Sequence, residues 1–547
     1  MFRQAPLFLL LGIVLIGPIV LRPKQAAPPG SAAGERSLVV ITPHNESTRY
    51  EFGRGFAEHY QRKTGRRVRL DWRTPGGTSE IGRYVASEYL AAFQNHWTHQ
   101  LRRPWSSAVA ASFDNPRVTL DDTPADDTLA QSARRAFLAS DVSCKLDVFF
   151  GGGAFDFEQQ AKAGRLIDSG FVREHPEIFN ERVIPRTVSG EPYWDPQGRW
   201  IGSVVSSFGI VSNVDSLRRL GIERAPTQWA DLADPRLFHQ IALANPTQSS
   251  SVNKSLEMII QQRMQETAAA LGKAEPALPP AEQETRAVRE GWTSAMQLLM
   301  KIAANARYFT DASTKIALDV EAGEAAAGMT IDFYGRFQSE AVRRPDGSSR
   351  LQYANVVGGS SVGVDPMGLF RGAPHAEVAK EFIAYVLSVE GQKLWNWKVG
   401  TPGGPHRYAL RRTPILPQLY AAEFKPLRSD PEVNPYELAR TFTYHEAWTA
   451  RLFRPTAFIF RVMCIDPHDE LTEAWQALIA ADFPPAAMAV FSDVSLVDYA
   501  LASGKIRDAL GADKIIEVQL AKQLADQFRT QYRHASDLAR APKHSRE

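Results

Sequence analysis

The chain has 547 residues, roughly three to four times an average domain, so two or more lobes are expected. A hydrophobic fraction of 44%, charged residues at 23%, and 37 Gly with 35 Pro make a globular composition, which excludes a disordered or collagen-like chain. Sixty-three Lys plus Arg against 61 Asp plus Glu leave a net charge of +2, which excludes a dominant nucleic-acid surface, and two cysteines exclude a four-cysteine zinc site or a disulfide scaffold.

In chain order, the first feature is the apolar run Leu7 to Leu21, which follows Arg3 and precedes Arg22-Pro23-Lys24. It is shorter than the ~20 residues of a spanning helix and resembles the apolar core of a secretory signal. The chain is therefore expected to be exported, with 1–34 as a signal sequence or N-terminal anchor and tether. The basic residues beyond the run also suit an uncleaved transmembrane anchor.

The run Leu38-Val39-Val40-Ile41-Thr42, stopped by Pro43, predicts a buried strand. Glu46 to Lys63 predicts a helix, Arg67 to Trp72 a second strand, and Thr74 to Glu80 a loop. This order opens an α/β unit with a parallel sheet. Asp121-Asp122-Thr123-Pro124 marks a polar insertion, after which Leu146 to Phe150 is a strand running into Gly151-Gly152-Gly153. The glycines suit either a tight turn or a close approach by ligand or backbone. Trp200 to Val205 and Phe208 to Asn213 predict extended chain around Ser206-Ser207; His239 to Ala244 predicts a strand that delivers Gln248-Ser249-Ser250-Ser251 to the start of a helix. That polar run reads either as an ordinary N-cap or as hydroxyls and free amides suited to an anion. Thr267 to Arg286 reads as a solvated insertion. Ala326 to Ile331 predicts a strand with Asp332-Phe333-Tyr334 at its C-terminal end, where ligands collect in open α/β sheets. Beyond Pro426 the pattern turns helical, over Glu470 to Ala481, Ala486 to Tyr499 and Lys514 to Tyr532.

The sequence has no Gly-x-Ser-x-Gly elbow, His-Glu-x-x-His helix, Walker loop or Gly-x-Gly-x-x-Gly after a strand, so no enzymatic activity is expected. What recurs is a set of strand-to-loop junctions rich in small polar groups. They nominate a ligand site made of His44, Asn45, Glu46, Gly77, Thr78, Ser79, Gly152, Gly153, Ser206, Ser207, Gln248, Ser249, Ser250, Ser251, Asp332 and Tyr334. Neutral donors and backbone amides suit reversible capture of a polar or anionic solute.

Taken together, Leu38 to His44, Asp147 to Gly153, Ser206 to Asn213, Thr227 to Leu232, Ile241 to Thr247 and Gly372 to Ile383 with Leu387 to Gln392 resemble the extracellular solute-binding proteins of ABC importers. The similarity is to the type II group that includes ferric-iron and sugar-phosphate or phosphonate binders, and it spans Leu38 to Ala409. The resemblance implies an α/β, two-lobed type II periplasmic-binding-protein fold with a two-strand hinge, extended here by a helical C-terminal region. The expected divisions are lobe I over 38–206, a hinge over 207–212, lobe II over 213–360, a return crossing and remainder of lobe I over 361–425, and the extension over 426–547. It also implies a periplasmic or otherwise extracytoplasmic monomer that delivers its solute to an inner-membrane permease, without cofactor or covalent chemistry. Relatives that bind ferric iron use adjacent tyrosines and a first-loop histidine; here His44 and Tyr334 match, but Phe333 takes the other tyrosine position and cannot coordinate. An organic anion, phosphorylated or carboxylated, is therefore favoured over ferric iron. A membrane-tethered sensory or scaffold protein and a periplasmic hydrolase are the competing readings. Whether Cys144 and Cys464 pair stays open.

Overall fold

The computed structural model describes residues 35–121, 126–511 and 513–541. The expected signal or anchor and part of the polar insertion lie outside the described residues. The strands are β1 Arg36–Ile41, β2 Val68–Arg73, β3 Val148–Phe150, β4 Leu166–Ile167, β5 Thr187–Val188, β6 Glu191–Pro192, β7 Ile201–Ser206, β8 Phe208–Asn213, β9 Ile241–Ala244, β10 Ala306–Thr310, β11 Ala327–Ile331, β12 Leu351–Asn355, β13 Gly363–Phe370 and β14 Thr413–Pro414.

Two sheets organise the α/β part. The first has the order β14-β7-β13-β3-β1-β2, with β4 paired to β13; the second has the order β10-β9-β11-β8-β12. β1 pairs parallel with both β2 and β3, while β13 runs antiparallel to β3 and β7. In the second sheet β9 pairs parallel with β10 and β11, and β8 runs antiparallel to β11 and β12. The chain passes from the first sheet to the second between β7 and β8, and returns between β12 and β13. This is the two-lobed fold with paired crossings that the sequence led us to expect. β8 is a full member of the second sheet, so the chain changes sheets at Ser207, the one residue between β7 and β8.

Local chemistry explains the elements that frame the crossings. β1 and β3 bury Leu38, Val40, Ile41 and all of Val148–Phe150, as parallel strands covered on both faces do. The helix Glu46–Thr64 begins where Asn45 accepts a hydrogen bond from the Thr48 amide at 3.1 Å, and ends at Gly65 with φ 71°.

Two expectations are corrected, and three strands are added. Thr267 to Arg286 is solvated as expected, with only Leu271 buried, but it is helical: it is the outer end of a long hairpin made by the helices Ser250–Ala274 and Pro280–Ala304. Trp292, Met296 and Leu299 are buried on its inner face, and a methyl group at Gly291 would lie 2.4 Å from the Met264 Cα, so the two helices approach closely there. The Ala and Glu content marks the exposed face of long helices. The strands β10, β12 and β14 escape the sequence pattern because all three are short sheet edges, and β10 and β12 are only half-buried beyond their first residue. The helix expected over Ala486 to Tyr499 is broken into the helix Pro485–Phe491 and a 3-10 turn Ser495–Val497.

The C-terminal helices complete the core of the second lobe. Trp292 Nε1 donates to the Val497 carbonyl at 2.9 Å, Trp475 Nε1 donates to Asn305 Oδ1 at 2.8 Å, and Phe528 and Tyr532 of the helix Lys514–Arg540 are buried in the same cluster as Leu299 and Ile302. Leu419 and Ala439 belong to the first lobe's core, whereas Trp448 and Leu452 belong to the second, so the chain crosses between lobes a third time over 440–448. Cys144 and Cys464 are free buried thiols in different cores.

Candidate functional site

The site begins at the end of β1, where Pro43 stops the strand and turns His44 inward. The imidazole packs edge-on to Phe150, with ring centroids 4.8 Å apart, and lies 5.9 Å from the Trp395 ring. Gly151, directly after β3, has φ 86°, and a methyl group there would lie 2.3 Å from His44 Nε2. Gly152 has φ 126°, and its methyl would lie 2.6 Å from Thr78 Cγ2. Gly151 and Gly152 are thus a close approach of backbone to side chains, at positions where any other residue would be both strained and overlapping.

Arg412, immediately before β14, is 2% exposed and sits at the centre of this end of the cleft. Its guanidinium donates to Asp365 and, at 3.4 Å, to His44 Nδ1, and its face lies 4.0 Å over the Phe333 ring from the second lobe. Ser206 donates to the other oxygen of Asp365 at 3.1 Å. Burial, reinforced by the charges of Arg412 and Arg49, holds the imidazole of His44 well below its usual range, so it is neutral. Because a guanidinium only donates, Nδ1 accepts and the proton resides on Nε2, which has no partner among the described residues. Arg412 Nε is likewise buried and unpartnered. Tyr334 faces the same region; burial pushes its phenol up to about 12, with Arg412 pulling it down and Asp365 pushing it up.

A second cluster lies on the other side of the glycine run, where three helices begin. The helix Thr78–Asn95 starts at Gly77, Ala154–Ala163 at Gly153, and Ser250–Ala274 at Ser249. Ser79 and Ser250 hydrogen-bond across the lobes at 3.2 Å, and the Gln248 carbonyl lies 3.8 Å from where a Gly77 methyl would be. Asp156, in the first turn of its helix, meets Ser250; burial pushes its carboxyl up to about 6, and its Oδ2 atom is shielded without a hydrogen-bond partner.

Of the nominated residues, His44, Ser206 and Tyr334 gather around Arg412, and Thr78, Ser79, Gly152, Gly153 and Ser250 gather near Asp156. Others are committed elsewhere. Asn45 caps its helix, Glu46 and Gln248 are exposed, and Ser249 accepts from the Val252 amide as an N-cap. Ser207 donates to Asn355 at 3.2 Å. Asp332 is held by Arg336 at 2.8 Å, within a chain of buried charges that continues through Asp430 to Arg411. The sequence reading missed Arg412, Asp365, Asp156 and Trp395. Asp365 was legible only as a strand-end residue before Pro366, and nothing in the spacing around Arg412 marks it.

Residues 144–414 match the family of bacterial extracellular solute-binding proteins. Among curated proteins, the chain is 25% identical over 257 residues to an uncharacterized protein of Haemophilus influenzae, covering 46% of this chain and 61% of that one. It is 22% identical over 307 residues to the phosphoglycerate transport regulatory protein PgtC of Salmonella typhimurium, covering 55% of this chain and 61% of that protein. The chain thus spans 61% of the length of the curated relatives it matches. Similar solved structures include the periplasmic binding protein AfuA of Actinobacillus pleuropneumoniae with fructose-6-phosphate, at 17% identity and a TM-score of 0.41, covering 66% of this chain and 81% of that one. Iron-bound HitA of Pseudomonas aeruginosa aligns at 14% identity with a TM-score of 0.43, covering 78% of this chain and 99% of that one.

Proposed function

We propose that this chain, an extracellular solute-binding domain over residues 144–414, captures a small organic anion between its lobes outside the inner membrane and delivers it to an ABC permease. The observation that carries the reading is the buried guanidinium of Arg412 placed between His44 and Phe333, at the meeting of the two lobes. Around it Arg412 Nε and His44 Nε2–H are donors without partners among the described residues, and across the glycine run three helices begin where the Ser79 and Ser250 hydroxyls, bonded to each other, meet the buried Asp156 carboxyl. Donors converging in a low-dielectric cleft favour phosphate or carboxylate. The nominated residues that gather at these two clusters, His44, Thr78, Ser79, Gly152, Gly153, Ser206, Ser250 and Tyr334, form the ligand site in this reading, with Arg412 as its anchor. The relative named for phosphoglycerate transport makes phosphoglycerate the first compound to try.

The same geometry counts against ferric iron. A ferric site wants two phenolates, but Phe333 stands beside Tyr334 where the second would be, and the Arg412 cation lies 4.0 Å over the Phe333 ring. In this reading the solute is bound and released without covalent chemistry. The long helical region on the second lobe supports a second reading, in which the lobes serve a regulatory or sensory assembly.

A thermal-shift screen tests the first reading. Phosphoglycerate, fructose 6-phosphate, citrate, ferric ion and spermidine are compared on the wild type and on Arg412→Gln. We expect stabilisation by at least one phosphorylated or carboxylated compound and its loss in the variant. Stabilisation by ferric ion or spermidine alone would overturn the reading.

A further inference from the structure

The C-terminal helices are anchored to the second lobe yet touch the first. The helix Phe453–Phe460 rides on the second lobe: Asn253 Nδ2 donates to the Phe453 carbonyl at 2.7 Å, and Ile459 and Phe460 are buried in that lobe's core. The Phe453 ring, however, packs on Phe155 of the first lobe, with centroids 4.4 Å apart. Phe155 occupies the first turn of the helix Ala154–Ala163, next to Asp156 and hence beside the interlobe contact of Ser79 with Ser250. A second bridge lies elsewhere on the same two bodies. Arg117, from the polar insertion of the first lobe, donates Nη1 to the Gly511 carbonyl at 3.0 Å, just before the helix Lys514–Arg540.

These contacts matter because they stand apart from the strands that join the lobes. Rotation about the β7–β8 and β12–β13 crossings moves distant surfaces most, so contacts across the mouth break while those at the crossings persist. The third crossing carries contacts of the other kind. There the Tyr444 amide donates to the Ser189 carbonyl at 2.7 Å, and Lys254 of the second lobe pairs with Glu191 of the first at 2.9 Å.

We propose that the C-terminal helical region is a latch that moves with the second lobe and grips the first through Phe453 on Phe155 and Gly511 on Arg117, so that it sets how readily the cleft opens. The lobes alone do not determine closure in this chain. A signal that pulled on the C-terminal helices would change access to the site without touching it.

Double electron–electron resonance on the full-length protein tests this, with nitroxides on Arg66→Cys in the first lobe and Arg218→Cys in the second, both exposed, while the native thiols are buried. Phe155→Ala acts from the first lobe's rim and leaves the second lobe's core intact; Arg117→Ala removes the outer bridge. An aromatic pair of this kind corresponds to a roughly three- to tenfold change in an equilibrium, so Phe155→Ala should raise the long-distance population by about that factor. Adding Phe453→Ala to it should change little more. Distance distributions that stay the same in Phe155→Ala, Arg117→Ala and their combination would overturn the latch. The measurement needs no ligand, so it is decided independently of which solute the cleft takes.

Discussion

A methyl group added at Gly151 would sit 2.3 Å from the His44 imidazole on a backbone already at φ 86°. Gly151→Ala should therefore cost about 1–3 kcal/mol of stability, read from urea unfolding, and should loosen the neutral imidazole from Arg412. Asp156 gives a pH-dependent prediction. Its carboxyl has an ordinary value near 3.8 when unfolded and is pushed up to about 6 by burial in the fold, so the fold takes up a proton. The associated stability is fully present below about 3.8, is lost as pH rises through about 6, and does not fall further above that. Asp156→Asn should therefore raise the melting temperature at pH 7.5 and leave it nearly unchanged at pH 4, the difference amounting to at most about 3 kcal/mol. An equal effect at both pH values would contradict the burial of this carboxylate. The residue scale is also where sequence reading fell furthest short. Tight junctions of Gly and Ser with turn chemistry were visible, but Arg412 reaches His44 from 368 positions away, and no local pattern encodes that meeting.

Among the elements, strand ends carried the legible information. The runs ending at Thr42 and Phe150 are largely β-branched or aromatic and stop at Pro or Gly, and the small-residue run ending at Thr330-Ile331 stops at Asp332, so both the strands and the loops that follow them could be read. The edge strands β10, β12 and β14 and the outer end of the hairpin of Ser250–Ala274 with Pro280–Ala304 could not, because half-exposed edges and the outer faces of long helices share the composition of loops. Lys254 shows what that hairpin does for the crossings. Burial alone would lower its ammonium, yet Glu191 and Glu257 hold it well above its usual value, and its charge lies 3.8 Å over the Tyr444 ring. Lys254→Met would leave two buried carboxylates facing each other and should destabilise the protein by about 3–5 kcal/mol in denaturant titration. A loss below 1 kcal/mol would mean that water reaches this cluster.

At the scale of the whole molecule, the length of 547 residues resolves into two lobes and a helical region that completes the core of the second. Alternating strands and helices made the α/β class legible, whereas the two lobes and their paired crossings, where strand follows strand directly, were legible only through the family resemblance. The placement of the C-terminal helices was not, since amphipathic helices declare a buried face but not the surface that covers it. The near-neutral charge is consistent with selection of an anion by a few buried donors rather than by a basic surface. Mass spectrometry of the solute carried through gentle purification tests the account most directly, applied to the wild type and to Arg412→Gln. The account predicts a phosphorylated or carboxylated compound in stoichiometric amount with the wild type and its absence from the variant; a metal ion, a polyamine, or equal retention of the anion by both proteins would contradict it.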